Sequence, residues 1–305
     1  LVIGGSIAGT GGLTKNGSNT LTLSGNNTYT GDTTINAGTM RYGVGGRFDN
    51  GGPGGSDLIV ASSTGNNAVF EVSGGYFRGY DFVVGNASST NATIQIDSGD
   101  LISRHNFTIA KATGSNGTLS ITGGNVRWGY NLTVGYQGAG ILNMSGGNLT
   151  SNVTNDPASA QFKVGSNLGG TGTLNLSGGN LTAGDSFIAI GGGSGLANIT
   201  GGLWTTSGNL SIGNGTLNIS GTGRVVVGDT LSRNATLGAI SLQSGGTLQI
   251  GMGGSSGTLA TDISNNGTLV FDTSGSPNHA NIISGSGVLM KNGTGTLTLS
   301  GNNTY

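Results

Sequence analysis

A column of aromatic and basic side chains is the feature of this sequence that most strongly suggests binding chemistry. Tyr80, His105 and Tyr130 follow one another at intervals of 25 residues. Flat rings beside guanidinium groups suit the CH faces and hydroxyl groups of sugars. The same spacing suits a structural aromatic ladder between consecutive layers of a repeat, and we favour that interpretation. The candidate contact residues for a glycan or another partner are Arg78, Tyr80, Arg104, His105, Arg127, Trp128 and Tyr130.

A second candidate surface is an insertion at residues 151–161 (SNVTNDPASAQ). The sequence Asn-Asp-Pro within it predicts a turn. Insertions in repeat proteins form loops on one face, which is often the binding face. A tolerated surface insertion is the alternative, and we favour it over a contact loop. The candidate lateral-contact residues are Asn152, Asn155, Asp156 and Pro157.

The sequence gives little support for a catalytic or a metal-binding site. Glycoside cleavage needs two carboxylates about 5 to 10 Å apart, and Asp97 with Asp100 or Asp81 is the available pair. No Ser/His/Asp grouping is apparent, and Glu71 is the only glutamate. Residues 51–59 (GGPGGSDLI) approach a calcium-binding nonapeptide, but the aspartate comes one place late and the unit does not recur in tandem. We therefore predict a protein that is not an enzyme and uses no cofactor or metal.

Charge and cysteine content exclude further classes. Twelve acidic and eleven basic residues give a net charge of −1 and are scattered singly, so nucleic acid and anionic membranes are not expected partners. No stretch approaches the roughly 20 apolar residues that span a bilayer, so we expect no membrane insertion of this segment. Because cysteine is absent, burial and backbone pairing must stabilise the fold.

Glycine dominates the composition, with 65 of 305 residues, and only 8% of residues are charged. Disorder is the obvious alternative for such a chain. Disordered chains usually combine high net charge with few aliphatic residues. This chain is nearly neutral and places Leu, Ile and Val in ordered alternation, so we predict a folded structure.

A repeat of 20 to 32 residues runs through the middle of the chain. A second signature, Val-Gly or Ile-Gly, follows most copies, as at Val84-Gly85, Val134-Gly135, Val164-Gly165, Ile190-Gly191 and Ile212-Gly213. Each unit therefore contains two short strands separated by turns. The copies begin at Ala68, Ala92, Gly117, Gly140, Gly172, Gly195 and Gly215, which are 24, 25, 23, 32, 23 and 20 residues apart.

Alternation with period two predicts strands: Leu119 and Ile121 point one way while Thr118 and Ser120 point the other. A recurring Gly-Gly supplies the positive φ that tight corners require. Short units cannot close a core alone, but stacked coils bury their inward aliphatic side chains against neighbours. We predict an all-β parallel β-helix with about 20–25 residues per coil. Outward Asn125, Asn148 and Asn180 are predicted to form an amide ladder.

The two ends of the chain resemble each other. Residues 15–29 (KNGSNTLTLSGNNTY) return as residues 291–305 (KNGTGTLTLSGNNTY), with 13 of 15 positions identical at an offset of 276. We interpret the chain as about one period of a longer tandem array. Such arrays are more often fibres or stalks than self-contained catalysts.

These terminal segments also carry a family resemblance. Residues 11–40 (GGLTKNGSNTLTLSGNNTYTGDTTINAGTM) resemble the passenger-associated transport repeat, or autotransporter-associated β-strand repeat, and residues 265–305 repeat much of the pattern. Met290 departs from it where Thr14 stands in the first copy, and the second copy stops before the TGDTTIN portion. The resemblance implies a bacterial surface or secreted protein whose passenger is a right-handed β-helix.

The predicted organisation has four parts: a terminal repeat at 1–40, a Gly-rich connecting coil or turn at 41–67, central coils at 68–264 and a second, truncated repeat at 265–305. The predicted function is a structural segment of a large extracellular filament, stalk or surface fibre. Its main partner would be itself, through tandem or head-to-tail stacking. An adhesin passenger that binds glycans or host surfaces is the alternative, and a β-helix polysaccharide-cleaving enzyme is a remote one.

Overall fold

The computed structural model describes residues 1–50, 54–151, 160–234 and 236–305. Within these residues the chain has no helix, and its parallel strands wind into a β-solenoid of about 12 turns. Successive turns are one strand spacing apart, about 4.8 Å, so the solenoid is roughly 58 Å long. The predicted all-β parallel β-helix is confirmed.

Each turn has three faces. The first face is formed by β1 (Val2–Ile3), β4 (Thr20–Leu23), β7 (Gly38–Gly43), β14 (Asn116–Ile121), β21 (Ser194–Ile199), β24 (Gly215–Ile219), β27 (Ala239–Leu242), β30 (Ile263–Asn265) and β33 (Ile283–Ser284). The second face is formed by β2 (Ala8–Gly9), β5 (Asn26–Tyr29), β8 (Arg47–Asp49), β15 (Asn125–Trp128), β22 (Leu203–Thr206), β25 (Arg224–Val227), β28 (Thr247–Ile250), β31 (Thr268–Asp272) and β34 (Val288–Asn292).

Four long strands bend and contribute to both of these faces, which therefore form one sheet: β10 (Asn67–Gly79), β12 (Asn91–Ser103), β17 (Ala139–Ser151) and β19 (Thr171–Ala183). The third face is a separate sheet of β3 (Leu13–Lys15), β6 (Thr33–Ile35), β9 (Leu58–Val60), β11 (Phe82–Val84), β13 (Phe107–Ile109), β16 (Asn131–Val134), β18 (Gln161–Ser166), β20 (Ser186–Ile190), β23 (Leu210–Ile212), β26 (Thr230–Arg233) and β29 (Thr258–Leu259). A final pair is formed by β32 (Asn278–His279) and β35 (Thr298–Leu299).

The strand register follows the repeat in the sequence. On the first face, Ala68 pairs with Ala92, which pairs with Gly117, and Gly140 pairs with Gly172. These pairs reproduce the predicted spacings of 24, 25 and 32 residues. The same part of each repeat therefore lies on the same face throughout the middle of the chain.

The bend between the first two faces depends on glycine. Gly179, in the middle of β19, has a φ of +80°, a left-handed conformation that L-residues with a side chain rarely adopt. A Cβ atom at this position would lie 2.6 Å from the carbonyl oxygens of Gly146 and Gly147 in the preceding turn. Two effects therefore disfavour a side chain at this corner: the backbone of the neighbouring turn would overlap with it, and the dihedral angles of residue 179 are left-handed.

The signature that ends the third-face strands needs one correction. We predicted that Ile190-Gly191 is the counterpart of Val164-Gly165, but Val164 pairs with Ile188, and Ile190 pairs with Ser166. The left-handed position that follows Ile188 is occupied by Ala189, within β20, with a φ of +59°. Alanine thus occupies the glycine position in this turn. The Val-Gly or Ile-Gly signature does not include such a position.

A continuous apolar column fills the solenoid. Most of its layers are Leu, Ile and Val, and burial of each such side chain contributes about 1.5–3 kcal/mol. Aromatic rings fill part of it: the ring centroids of Phe48 and Phe77 are 4.8 Å apart, and Phe162 contacts both Trp128 and Trp204. This column provides the stability that a glycine-rich chain without disulfides requires.

The predicted amide ladder is confirmed on the second face. Asn148 Nδ2 donates to Asn125 Oδ1 at 3.1 Å, and Asn180 Nδ2 donates to Asn148 Oδ1 at the same distance. Asn125 in turn donates to Asp100. A second ladder on the first face has the same geometry and joins Asn143, Asn175, Asn198 and Asn218.

The two similar end segments lie on different faces. Lys15 ends β3 on the third face, whereas the corresponding Lys291 lies in β34 on the second face. Along the chain, β5 on the second face comes two faces after β3. Eleven further turns of the solenoid lead from β5 to β34 on the same face. The 276-residue offset therefore corresponds to 11 turns and two thirds of another, so the second copy is rotated by one third of a turn.

Candidate functional site

The aromatic column lies at the corner between the second and third faces. Tyr80, His105 and Tyr130 occupy the same place in consecutive turns, because the backbone N–H of His105 donates to Tyr80 O and that of Tyr130 donates to His105 O. Their rings stack with interplanar angles of 14° and centroid separations of 5.0 and 5.5 Å. The three residues therefore form an outward ladder parallel to the solenoid axis.

This stacking limits what the ladder can bind. Both faces of the His105 ring are covered by tyrosine rings, so no sugar ring can lie against them. The edges of the rings remain accessible, and Tyr130 is 51% exposed. As arranged, the ladder is better suited to bordering a binding surface than to providing a series of stacking platforms.

A row of polar side chains runs beside the ladder, just before or at the start of successive third-face strands. The backbone N–H of Asp57 donates to Asp32 Oδ1 at 2.9 Å, and that of Asp81 donates to Asp57 Oδ1 at 3.0 Å. Asn106 N–H continues the row by donating to Asp81 Oδ1 at 2.7 Å. Asn131 Nδ2 then donates to Asn106 Oδ1 at 3.2 Å. The row places acidic side chains in the earlier turns and amides in the later ones.

The ladder and the polar row are in contact. His105 Nδ1 lies 2.9 Å from Asp81 Oδ1 and 2.9 Å from Asn106 Nδ2. Because Nδ1 either donates or accepts, each tautomer makes one of these two hydrogen bonds. The His105 ring is thereby held against the polar row in either tautomer.

A groove of about 530 Å³ lies on the outer surface of the third face, with the polar row along one side. Its floor includes Val83, Thr108 and Thr133, which are the outward residues of β11, β13 and β16. Corner residues that follow the strands, including Lys111 and Tyr136, line the opposite side. Short floor side chains between bulkier corners make this face concave.

Lys163, the outward residue of β18, also lines the groove. Its Nζ donates to Asn131 Oδ1 at 3.1 Å, and it has no carboxylate partner among the ion pairs of the described residues. Burial lowers the pKa of the Lys163 ammonium. At the other end of the groove, burial raises the pKa of the Asp57 carboxyl; the charges of Asp32 and Asp81 act in the same direction, whereas the hydrogen bond from the Asp81 backbone and the charge of Lys111 oppose it. One end of the groove thus has the carboxylates of Asp57 and Asp81 with Lys111 near them, and the other end has Lys163.

The basic residues predicted to accompany the column are separated by the fold. Arg78 forms an ion pair with Asp49 at 3.1 Å on the second face, while Arg104 and Arg127 are exposed. The expectation for Trp128 is wrong, because its side chain is fully buried in the core. Trp128 follows Arg127 in β15, and the alternation of a strand sends neighbouring side chains to opposite sides.

The predicted lateral-contact loop, with Asn152, Asn155, Asp156 and Pro157, lies outside the described residues. The carboxylates considered for catalysis participate in local hydrogen bonds: Asp97 accepts from Gln95 and Thr122, and Asp100 accepts from Asn125. Within residues 1–50, 54–151, 160–234 and 236–305, no three His, Asp or Glu side chains are grouped so that they could hold a metal ion.

Sequence reasoning missed the groove itself, including Lys163, Lys111 and Tyr136. One signal could have revealed its polar side: in most turns from β6 to β23 an aspartate or asparagine lies just before or at the start of the third-face strand, at Asp32, Asp57, Asp81, Asn106, Asn131, Asp185 and Asn209. The lysines carry no such signal, because they do not recur from one repeat to the next.

Comparison with known proteins is consistent with the fold. Residues 13–41 and 289–305 match the Passenger-associated-transport-repeat family. The resemblance predicted from the terminal motifs is thereby confirmed, and the chain is a parallel β-solenoid that carries this repeat at two positions.

One curated relative matches part of the chain. A 108-residue stretch, 33% of this chain, is 34% identical to the protein called Adhesin BmaC autotransporter of Brucella suis biovar 1 (strain 1330). The match spans 3% of that relative's length. No solved structure matches the chain significantly. No helix able to cross a membrane occurs among the described residues.

Proposed function

We propose that this chain is a non-catalytic, rod-forming segment of a large bacterial surface or secreted protein. The observation that carries the proposal is the strand pairing of the first two faces, which is uninterrupted from β1 to β34. Apolar packing and amide ladders run along the same axis. Each turn therefore supports the next, as a stiff stalk or filament requires.

Extension of the rod by tandem or head-to-tail stacking is supported by the two similar end segments. The Nζ of Lys15 donates to the carbonyl oxygens of the two residues that follow it, and the Nζ of Lys291 does the same in the second copy. Since the copies are 11 and two-thirds turns apart, each period would be rotated by one third of a turn relative to the previous one. Three periods would restore the original orientation.

Electron microscopy of the native full-length material tests this proposal. We expect a thin, continuous fibre with an axial period of roughly 56 Å and a threefold longer repeat of orientation. Compact particles of uniform size would contradict the rod. A fibre with the axial period but without the threefold repeat would contradict only the rotation.

Adhesion is a second candidate function, favoured by the similarity to a protein named as an autotransporter adhesin. As a passenger-like segment, the rod would present its outer faces at or beyond the cell surface. Antibody labelling of intact cells tests this location, and attachment of cells with and without the full-length protein tests the adhesive role. Equal attachment of both cell types would contradict adhesion.

A further inference from the structure

We propose that the groove on the third face binds an oligosaccharide that contains a carboxylated sugar, with the carboxylate at Lys163. This inference gives the adhesive role a class of ligand and rests on that role. Hydrogen-bond acceptors and donors, the ammonium groups of Lys111 and Lys163 and partly apolar floor residues converge in this groove.

The dimensions of the groove suit a short chain of sugars. From β11 to β18 its floor crosses three steps between turns, or roughly 14 Å at the spacing of β-strands. Val83 and the methyl groups of Thr108 and Thr133 provide small apolar patches along this floor. Tyr136, which is 37% exposed, adds an aromatic ring at the side for contact with the CH face of a sugar.

The hydrogen-bonding groups are ordered along the groove. Asp57 and Asp81 use one carboxylate oxygen each in the polar row, which leaves the second oxygen without a hydrogen-bond partner among the described residues. These oxygens can accept bonds from sugar hydroxyls. At the other end, Lys163 donates one of its three N–H groups to Asn131, and the other two have no acceptor within the part of the chain that the structure describes.

Charge decides which end receives the acidic sugar. A carboxylate near Asp57 and Asp81 would meet like charges, which the charge of Lys111 offsets only in part, whereas at Lys163 it would meet an ammonium group that has no acidic partner among the described residues. Partial burial strengthens that attraction relative to an exposed lysine. A neutral sugar would leave the half-buried ammonium group unpaired, so the carboxylate should contribute strongly to affinity.

Two other ligand classes fit less well. The backbone groups of the floor strands are paired with the turns above and below, so a peptide cannot add to this face as an extra strand. A nucleic acid would bring a continuous line of phosphates past Asp57 and Asp81, which would repel them.

The experiment measures binding of the purified chain to acidic oligosaccharides by calorimetry, after a glycan array has selected them. Each is paired with a derivative whose carboxyl group has been reduced to an alcohol. The variants are Lys163→Met, which removes the charge, Lys163→Arg, which retains it, and Arg224→Gln, a control that removes a positive charge on the second face. Hydrogen exchange verifies that each variant is folded.

We expect reduction of the carboxyl group and Lys163→Met each to weaken binding by roughly tenfold or more. The two changes together should weaken it little further, because they remove the same interaction. Arg224→Gln should bind like the unchanged protein, and Lys163→Arg should retain most of the affinity.

Several outcomes would overturn the proposal: no glycan bound, equal binding of the reduced sugar, an equal loss in Arg224→Gln, or equal competition by polyglutamate. The adhesive role is tested separately. If cells carrying full-length Lys163→Met attach as well as unmodified cells while glycan binding is lost, the groove is not the source of adhesion. If the purified chain binds no glycan but cells still attach, the groove proposal fails and the adhesive role survives.

Discussion

Replacement of Gly179 by alanine tests whether contact between turns, rather than local conformation alone, requires glycine at the corners. Gly179 has a φ of +80°, and a Cβ atom there would lie 2.6 Å from two carbonyl oxygens of the preceding turn. Gly114 is a matched control, since its φ is +72° and a Cβ atom would have no heavy atom within 4 Å. Both substitutions impose the same left-handed conformation, and only one creates an overlap.

The magnitudes follow from these geometries. Left-handed alanine costs about 1–2 kcal/mol in either position. The smaller entropy of the unfolded alanine variant returns about 0.4–1 kcal/mol. Gly114→Ala should therefore lower the free energy of unfolding by about 0.5–1 kcal/mol. Gly179→Ala adds the overlap with fixed backbone, at about 1–3 kcal/mol, and should total about 1.5–4 kcal/mol.

Hydrogen exchange is the appropriate assay, because long repeat arrays do not always unfold in a single step. Protection should fall most at the amides of Asn180 and Leu181, which follow the substituted corner, and at the paired strand of the preceding turn. Urea denaturation gives a second measure for both variants. Equal losses in Gly114→Ala and Gly179→Ala would refute the argument, since the overlap would then contribute nothing.

Three further substitutions test the core, the ladders and a buried histidine. Trp128→Ala should lower the free energy of unfolding by about 3–5 kcal/mol, whereas Arg127→Ala, one residue earlier, should change it by less than about 0.5 kcal/mol in urea denaturation; similar losses would contradict their opposite orientations. Asn175→Ala, which interrupts an amide ladder, should cost about 1 kcal/mol in the same assay, more than Thr173→Ala on the same strand. Burial lowers the pKa of His279, so the native state favours the neutral ring. The free energy of unfolding should therefore fall as the pH drops below about 6.5, by at most about 1.4 kcal/mol per pH unit. His279→Gln should remove this part of the pH dependence.

The architecture could be predicted from the sequence because each turn reuses the same chemistry. Alternation fixes which side chains face inward, and Gly-Gly fixes the corner, so the first-face register from Ala68 through Gly172 followed directly from the aligned repeats. The amide ladder was predictable for the same reason. Residues that recur at one position in each unit must stack when the units stack.

Features that do not recur were not predictable in this way. Lys163 and Tyr136 occur at positions that hold other residues in neighbouring turns, and the groove exists only because the third face brings them together. Trp128 differs from the prediction because strand alternation turns its side chain inward while that of its neighbour Arg127 faces outward. The corner at Ala189 was not predictable because an alanine there adopts the left-handed conformation that the sequence pattern assigns to glycine.

The rotation between the terminal copies determines how a long array would display the groove. With each period turned by one third, neighbouring grooves would point to different sides of the rod, roughly 56 Å apart along its axis. A flat surface touching one side would meet a groove only every third period, whereas a flexible polysaccharide could follow the rod and occupy consecutive grooves. Linked sites gain affinity only when geometry permits simultaneous binding. An array of two periods should therefore gain avidity for a long soluble glycan but none for a planar glycan layer. Rotation and ligand class can therefore be tested together by comparing arrays of one, two and four periods on the two kinds of target.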